Sequence, residues 1–131
     1  MLNRITAAGR LTKDPEMRTT DSGVFVTSFS IACERDLPNR TTGERETDFL
    51  DVVTWRSLAE FVKRNFTKGR LIIVSGRLQE RKWQDKDGKQ RRAMDIVADQ
   101  VYFADSKKLE KTEPKLEDLV QETDDDGHLP F

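Results

Sequence analysis

Residues 71–102, LIIVSGRLQERKWQDKDGKQRRAMDIVADQVY, constrain this chain more than any other stretch. A polar turn, Asp85-Lys86-Asp87-Gly88-Lys89, divides them into two runs. In the first run Ile72, Val74, Gly76 and Leu78 share one parity, while Arg77, Gln79, Arg81 and Trp83 share the other. Successive side chains of a strand point to opposite faces. The alternation therefore predicts a long hairpin, with an apolar face inward and two guanidiniums beside an indole outward. Between Leu71 and Arg92 the basic residues are Arg77, Arg81, Lys82, Lys86, Lys89, Arg91 and Arg92, against the acids Glu80, Asp85 and Asp87. A basic, aromatic-bearing hairpin longer than a core needs suits a polyanion with stackable rings.

The rest of the chain reads as further strands and one helix. Residues 3–12 form a predicted strand with a bend at Gly9, followed by turns at 13–16 and 20–23. Residues 24–34, VFVTSFSIACE, are rich in β-branched and aromatic residues and predict a strand. A polar loop, 35–46, leads to the strand 47–55, which carries Phe49, Asp51, Val53 and Trp55 on one face and Leu50 and Val52 on the other. Residues 57–66 predict a helix, with a capping box at Ser57 and Glu60, an apolar stripe of Leu58, Phe61 and Val62, and Gly69 just beyond its end. Three strands, a helix and two strands give an all-β chain with one helix. That is the connectivity of a five-stranded OB-fold barrel with extended hairpins. A mixed five-stranded sandwich is the alternative.

A chain of 131 residues is expected to hold one domain and a tail. It contains no apolar run of about 18 residues, so no membrane span is predicted. Its start lacks the apolar core of a secretory signal, and a single cysteine, Cys33, cannot form an internal disulfide; both fit a reducing cytoplasm. Cys33 lies in an apolar run and reads as a small buried hydrophobe. The net charge of −1 conceals an asymmetry: residues 1–105 carry 19 basic and 16 acidic side chains, residues 106–131 carry 4 and 8. Three parts follow: a basic domain at 1–105, a short charged linker at 106–123 and an acidic tip at 124–131. The linker is too poor in apolar residues to build a core, so disorder is predicted from residue 106 onward. The tip joins Asp124, Asp125 and Asp126 to Leu129, Pro130 and Phe131. It has the form of a peptide ligand, with an apolar anchor for a pocket and acids for a basic rim.

No catalytic constellation is visible. The one histidine, His128, lies in the tail, and one Cys with one His cannot supply the usual zinc spacings. Neither dinucleotide nor phosphate-loop motifs occur, so no metal, cofactor or enzymatic activity is expected.

The aromatics are more telling. Phe49, Trp55 and Trp83 fall on the faces that carry Arg77 and Arg81, while Leu50, Val52, Ile72, Val74 and Leu78 already supply an inner face. Outward rings can stack on bases of any sequence at about 1–3 kcal/mol each. Basic side chains neutralise phosphates, with a salt slope of roughly −0.7 for each one on a single strand. The candidate nucleic-acid interface is therefore Phe49, Trp55 and Trp83 with Arg77, Arg81, Lys82, Lys86, Arg91 and Arg92. The loops 35–46 and 83–92 are expected to form its walls. Few Asn or Gln side chains sit there to read base edges, which favours sequence-indifferent binding. Phe25, Phe29, Phe61 and Phe66 are assigned to the core or to an interface. Two competing readings remain: a protein-interaction module working through its tail, and an RNA-binding barrel of the cold-shock type. Preference for RNA over DNA would reveal the latter, since a 2′-OH reader needs dedicated contacts.

Several segments in this order and spacing carry a specific resemblance: Met1-Leu2-Asn3-Arg4, Gly9-Arg10-Leu11-Thr12-Lys13-Asp14-Pro15-Glu16, Thr42-Gly43-Glu44, Thr47-Asp48-Phe49, Leu58-Ala59-Glu60, Lys68-Gly69 and Arg81-Lys82-Trp83. Over residues 1–105 and the last few residues, the chain resembles the bacterial single-stranded DNA-binding proteins. The resemblance implies a homotetramer of OB-folds, cytoplasmic and nucleoid-associated, that wraps and protects single strands in replication, recombination and repair. It implies that the tip recruits genome-maintenance proteins. Phe49, Trp55 and Trp83 match the family's base-stacking aromatics. The chain departs from the family pattern at Thr19 and Leu37, where members often carry an aromatic nearby. Further departures are the short charged linker and Gly127-His128 before Leu129.

Overall fold

The computed structural model describes residues 1–105, and the linker and tip assigned above lie outside them. The elements are β1 (Ile5–Leu11), β2 (Glu16–Thr19), β3 (Phe25–Glu34), β4 (Thr47–Trp55), α1 (Arg56–Asn65), β5 (Leu71–Gln84) and β6 (Gln90–Phe103). They form one sheet in the order β1-β5-β6-β4-β3-β2, and β1 also pairs with β3. That second pairing closes β1, β5, β6, β4 and β3 into a barrel. β4 and β6 run parallel through Asp51↔Asp95 and Val53↔Val97, while every other ladder is antiparallel. This is the OB-fold, as the connectivity predicts.

Closure depends on β1 changing partners. Residues Ile5 to Arg10 pair with β5, whereas Arg10 and Leu11 also reach β3. At the crossing, a Cβ on Gly9 would lie 2.6 Å from the carbonyl oxygen of Ala32. Only a residue without a side chain lets the two backbones approach so closely. The second special position is Gly76, where the β5–β6 register slips and Asp99 is left as an extra residue. A Cβ there would come 2.0 Å from the Val97 carbonyl oxygen. The resulting bulge lies where the hairpin turns away from the barrel.

The inner face follows the sequence alternation. Ile31, Val52, Ile72, Val74 and Ile96 are almost fully buried, and α1 closes one end of the barrel with Val62 and the adjoining Phe66. One buried hydroxyl ties the helix to the sheet, Thr27 Oγ1 donating to the Ala59 carbonyl at 2.8 Å, and a second ties β4 to β3, Thr54 Oγ1 donating to the Thr27 carbonyl at 3.1 Å. Both polar groups are satisfied, so burying them costs little.

Three details differ from the sequence reading. β2 is an additional strand on the edge of β3; all four of its residues are exposed, so it has no apolar face to reveal it. The predicted capping box does not form. α1 begins at Arg56, directly after β4, so Trp55 takes the N-cap position and no side chain caps the helix. The buried face of α1 is Ala59 and Val62. Phe61, from the predicted apolar stripe, is partly exposed, its ring set edge-on to Phe103 with the centroids 5.8 Å apart.

Candidate nucleic-acid interface

Alternation in β4 sends Leu50, Val52 and Thr54 inward, leaving Phe49, Asp51, Val53 and Trp55 on the outer face. The cross-strand register extends that face. Ser30, Asp51, Asp95 and Gln79 form one row across β3, β4, β6 and β5; Arg18, Val26 and Trp55 form another across β2, β3 and β4. Between these rows runs an open groove of about 580 Å³, lined by Trp55, Arg18, Lys13, Asp51, Arg81 and Asp95 among others. Phe49 is 68% exposed, Trp55 43% and Trp83 41%, so none of the three rings is core. The expected outward placement of all three is what the structure shows.

The basic residues divide more sharply than sequence parity alone conveyed. Arg81 lies over the Trp83 ring at 4.7 Å, and its Nε donates to Asp95 Oδ2 at 2.8 Å. That bond raises the Arg81 pKa still further, keeping the guanidinium charged. Arg91, opposite Trp83 in the register, donates from Nε to Asp85 Oδ2 at 2.8 Å. Asp85 also accepts the backbone N–H groups of Asp87 and Lys89 through Oδ1, each at 2.9 Å. The Arg91 bond, followed by these backbone bonds, holds its carboxyl below the usual carboxylate range. Arg77 donates to Gln79 Oε1 at 2.7 Å.

Lys82 and Arg92 are not on this face. They pair with each other across the other side of the hairpin, 3.3 Å and 3.8 Å from the carboxylate oxygens of Glu80. Lys86 is exposed in the hairpin turn. The structure thus brings Phe49, Trp55, Trp83, Arg77, Arg81 and Arg91 onto one face and leaves Lys82, Lys86 and Arg92 off it. The other loop, 35–46, has its one guanidinium nearest the sheet, Arg35, bonded to Asp48 and Glu46 at 3.0 Å and 2.7 Å. That bond lowers the Asp48 pKa. Leu37 projects from the loop, 80% exposed.

Arg18 and Lys13 are groove residues that the sequence reading missed. Arg18 belongs to β2, whose wholly exposed residues gave no alternation to read. Asp51 and Asp95, neither of them assigned to the interface from sequence, also line the groove. Among the described residues no group of three or more His, Cys, Asp or Glu side chains could hold a metal ion, and no helix is long and apolar enough to cross a membrane. The six tip residues, Asp124, Asp125, Asp126, Leu129, Pro130 and Phe131, lie outside the described residues.

An OB barrel with an outer groove, three exposed rings and guanidiniums set between them defines a class: the single-strand-binding OB domains. Comparison with known proteins narrows the class. Residues 2–104 match the model of the single-strand binding protein family. A single-stranded DNA-binding protein of Caldanaerobacter subterraneus subsp. tengcongensis is 47% identical over 107 residues, covering 82% of this chain and 71% of that protein. One from Staphylococcus aureus is 43% identical over 124 residues, covering 94% and 79%. A solved structure, a Plasmodium falciparum SSB complex with single-stranded DNA, superposes with a TM-score of 0.72 at 26% identity, covering 80% of this chain and 97% of that one. The chain belongs to the single-strand binding protein family, which is named for DNA binding rather than for a catalytic activity.

Proposed function

We propose that the protein binds and protects single-stranded DNA without catalysis and largely without regard to sequence. It does so as a homotetramer serving replication, recombination and repair in the cytoplasm, at the nucleoid. The observation that carries this reading is the exposure of Phe49, Trp55 and Trp83 on one face of the barrel together with Arg77, Arg81 and Arg91. Bases stack on the rings, and the guanidiniums meet the phosphates. Lys82, Lys86 and Arg92, on the far side and tip of the hairpin, add long-range attraction for the strand. The name of the solved neighbour, a complex with single-stranded DNA, supports the same ligand for this chain. The domain at 1–105 holds the DNA. The linker at 106–123 carries the tip at 124–131, through which Asp124, Asp125, Asp126, Leu129, Pro130 and Phe131 recruit other genome-maintenance proteins.

Tryptophan fluorescence during titration with oligothymidine tests the DNA reading. Strong quenching by the single strand, weakened by salt and absent with duplex, is the expected result. An equal response to duplex would reduce the protein to a general polyanion binder. Deleting residues 124–131 should leave single-strand affinity unchanged or slightly raised, because the acids compete with DNA, and should abolish capture of partner proteins. Retained capture would remove the role given to the tip.

A further inference from the structure

Resting on the single-strand reading, we propose that Arg56 and Arg18 hold the phosphates flanking the nucleotide stacked on Trp55. Neither residue is conspicuous in the sequence. The geometry at the end of β4 singles out Arg56. Trp55 is still extended, at φ −124° and ψ 151°, and the helix starts at the next residue with no intervening loop. Arg56 makes the change of direction in the left-handed region, at φ 60°, and is the only non-glycine residue with positive φ among those described.

Glycine would take that conformation freely, whereas a side chain is strained there. Arginine is doubly disfavoured, because it places a cation at the positive end of the helix dipole. The first turn of α1 contains no acid to offset it. The side chain is exposed and forms no ion pair among the described residues. Local stability therefore gives no reason for arginine at this position, and ligand binding does.

The second cation comes from the neighbouring row. Arg18 is two strands away, about 10 Å at ordinary strand spacing, with the nearly covered Val26 between it and Trp55. It lines the groove with Trp55, is exposed, and likewise forms no ion pair among the described residues. At the Trp83 end, by contrast, Arg81 and Arg91 each already hold a carboxylate. A phosphate binding either of these must compete with an aspartate, whereas Arg18 in the groove and Arg56, next in sequence to Trp55, hold no carboxylate among the described residues.

The test uses the full chain, oligothymidine and tryptophan quenching over a range of salt, with thermal midpoints measured in parallel. Arg56→Gly should fold with an equal or higher midpoint. Its salt slope should be shallower by about 0.7 and its affinity at 0.1 M salt about fivefold lower, the loss of one phosphate contact. Arg18→Gln should lose about as much. Arg56→Lys, which keeps the charge in the same strained backbone, should keep the wild-type slope. Arg64→Gln removes a cation from the far end of α1, about 12 Å along the axis, and should change neither quantity. A wild-type slope in Arg56→Gly, or an equal loss in Arg64→Gln, would overturn the assignment. If the wild-type protein itself shows no quenching by the single strand, the binding reading fails first and this assignment goes with it.

Discussion

Trp83 and Trp55 are nearly equally exposed and share one face, yet their surroundings are built on opposite plans. Trp83 stands on a hairpin that leaves the barrel beyond Gly76, and beyond that point β5 pairs only with β6. Its charges are bound in place: Arg81 between the indole and Asp95, Arg91 on Asp85. Trp55 ends a strand anchored by the buried Thr54–Thr27 bond and passes straight into α1, beside cations without such partners. The hairpin is the most basic stretch of the sequence, but carboxylates engage much of that charge. A count of basic residues measures long-range attraction; what a phosphate can grip depends on which of them lack a partner.

The largest expected effect would break the comparison by disabling one side. A Cβ at Gly76 would meet only backbone atoms, at 2.0, 2.7 and 2.8 Å, none able to swing aside. Gly76→Ala should therefore destabilise the domain by about 3 kcal/mol, at the upper end for overpacking. It should also re-aim the hairpin, so that Trp83 loses its quenching by DNA before Trp55 does. Urea unfolding, with DNA titrations of the variant carrying Trp83→Phe or Trp55→Phe, separates the two signals. A variant as stable as wild type would mean the bulge is not fixed.

Next in size are the rings themselves. Trp55→Ala and Trp83→Ala should each weaken oligothymidine binding by about 1–3 kcal/mol, the value of one stacked base. Circular dichroism and the thermal midpoint should change little, because both rings lie outside the core. Unfolding of either variant would show that the indole is structural. A smaller effect sharpens the electrostatic half of the comparison. Asp85→Ala releases Arg91 and unmakes the turn bonds to Asp87 and Lys89. Hydrogen exchange in the hairpin should quicken, while DNA binding tightens because Arg91 no longer has to leave a carboxylate to meet a phosphate. An unchanged affinity would mean that Arg91 never reaches the DNA.

How much of this was legible in the sequence depends on range. The period of two in residues 47–55 and 71–84 placed Phe49, Trp55, Trp83, Arg77 and Arg81 on an outer face, because alternation is a property of the single strand. The same parity already separated Lys82 from Arg81, and grouping them by charge overlooked it. Pairings such as Arg81–Asp95 were hidden because they require the β5–β6 register, which alternation within a single strand does not supply. β2 escaped because a wholly exposed edge strand leaves no apolar signature. The capping box at Ser57 and Glu60 was a local pattern overruled by the chain path: β4 runs into α1 without a loop, so a strand residue occupies the cap.

The smallest expected effect concerns pH, and it follows from the same contrast. Asp85 has its carboxyl held below the ordinary range, first by Arg91 and then by backbone N–H groups. A carboxylate with a folded-state pKa below its unfolded value near 4 stabilises fully above that value. The contribution fades as pH falls through the lowered folded value. Acid should therefore loosen the Trp83 hairpin below about pH 4, with no change between pH 7 and 5. Arg18 and Arg56, at the Trp55 end, carry no such pair among the described residues, so that end should respond less. Emission from Trp83 alone, in Trp55→Phe, should shift with acid before emission from Trp55 alone, in Trp83→Phe. Simultaneous shifts would mean that the barrel fails as a unit and that the hairpin's carboxylates brace nothing of their own.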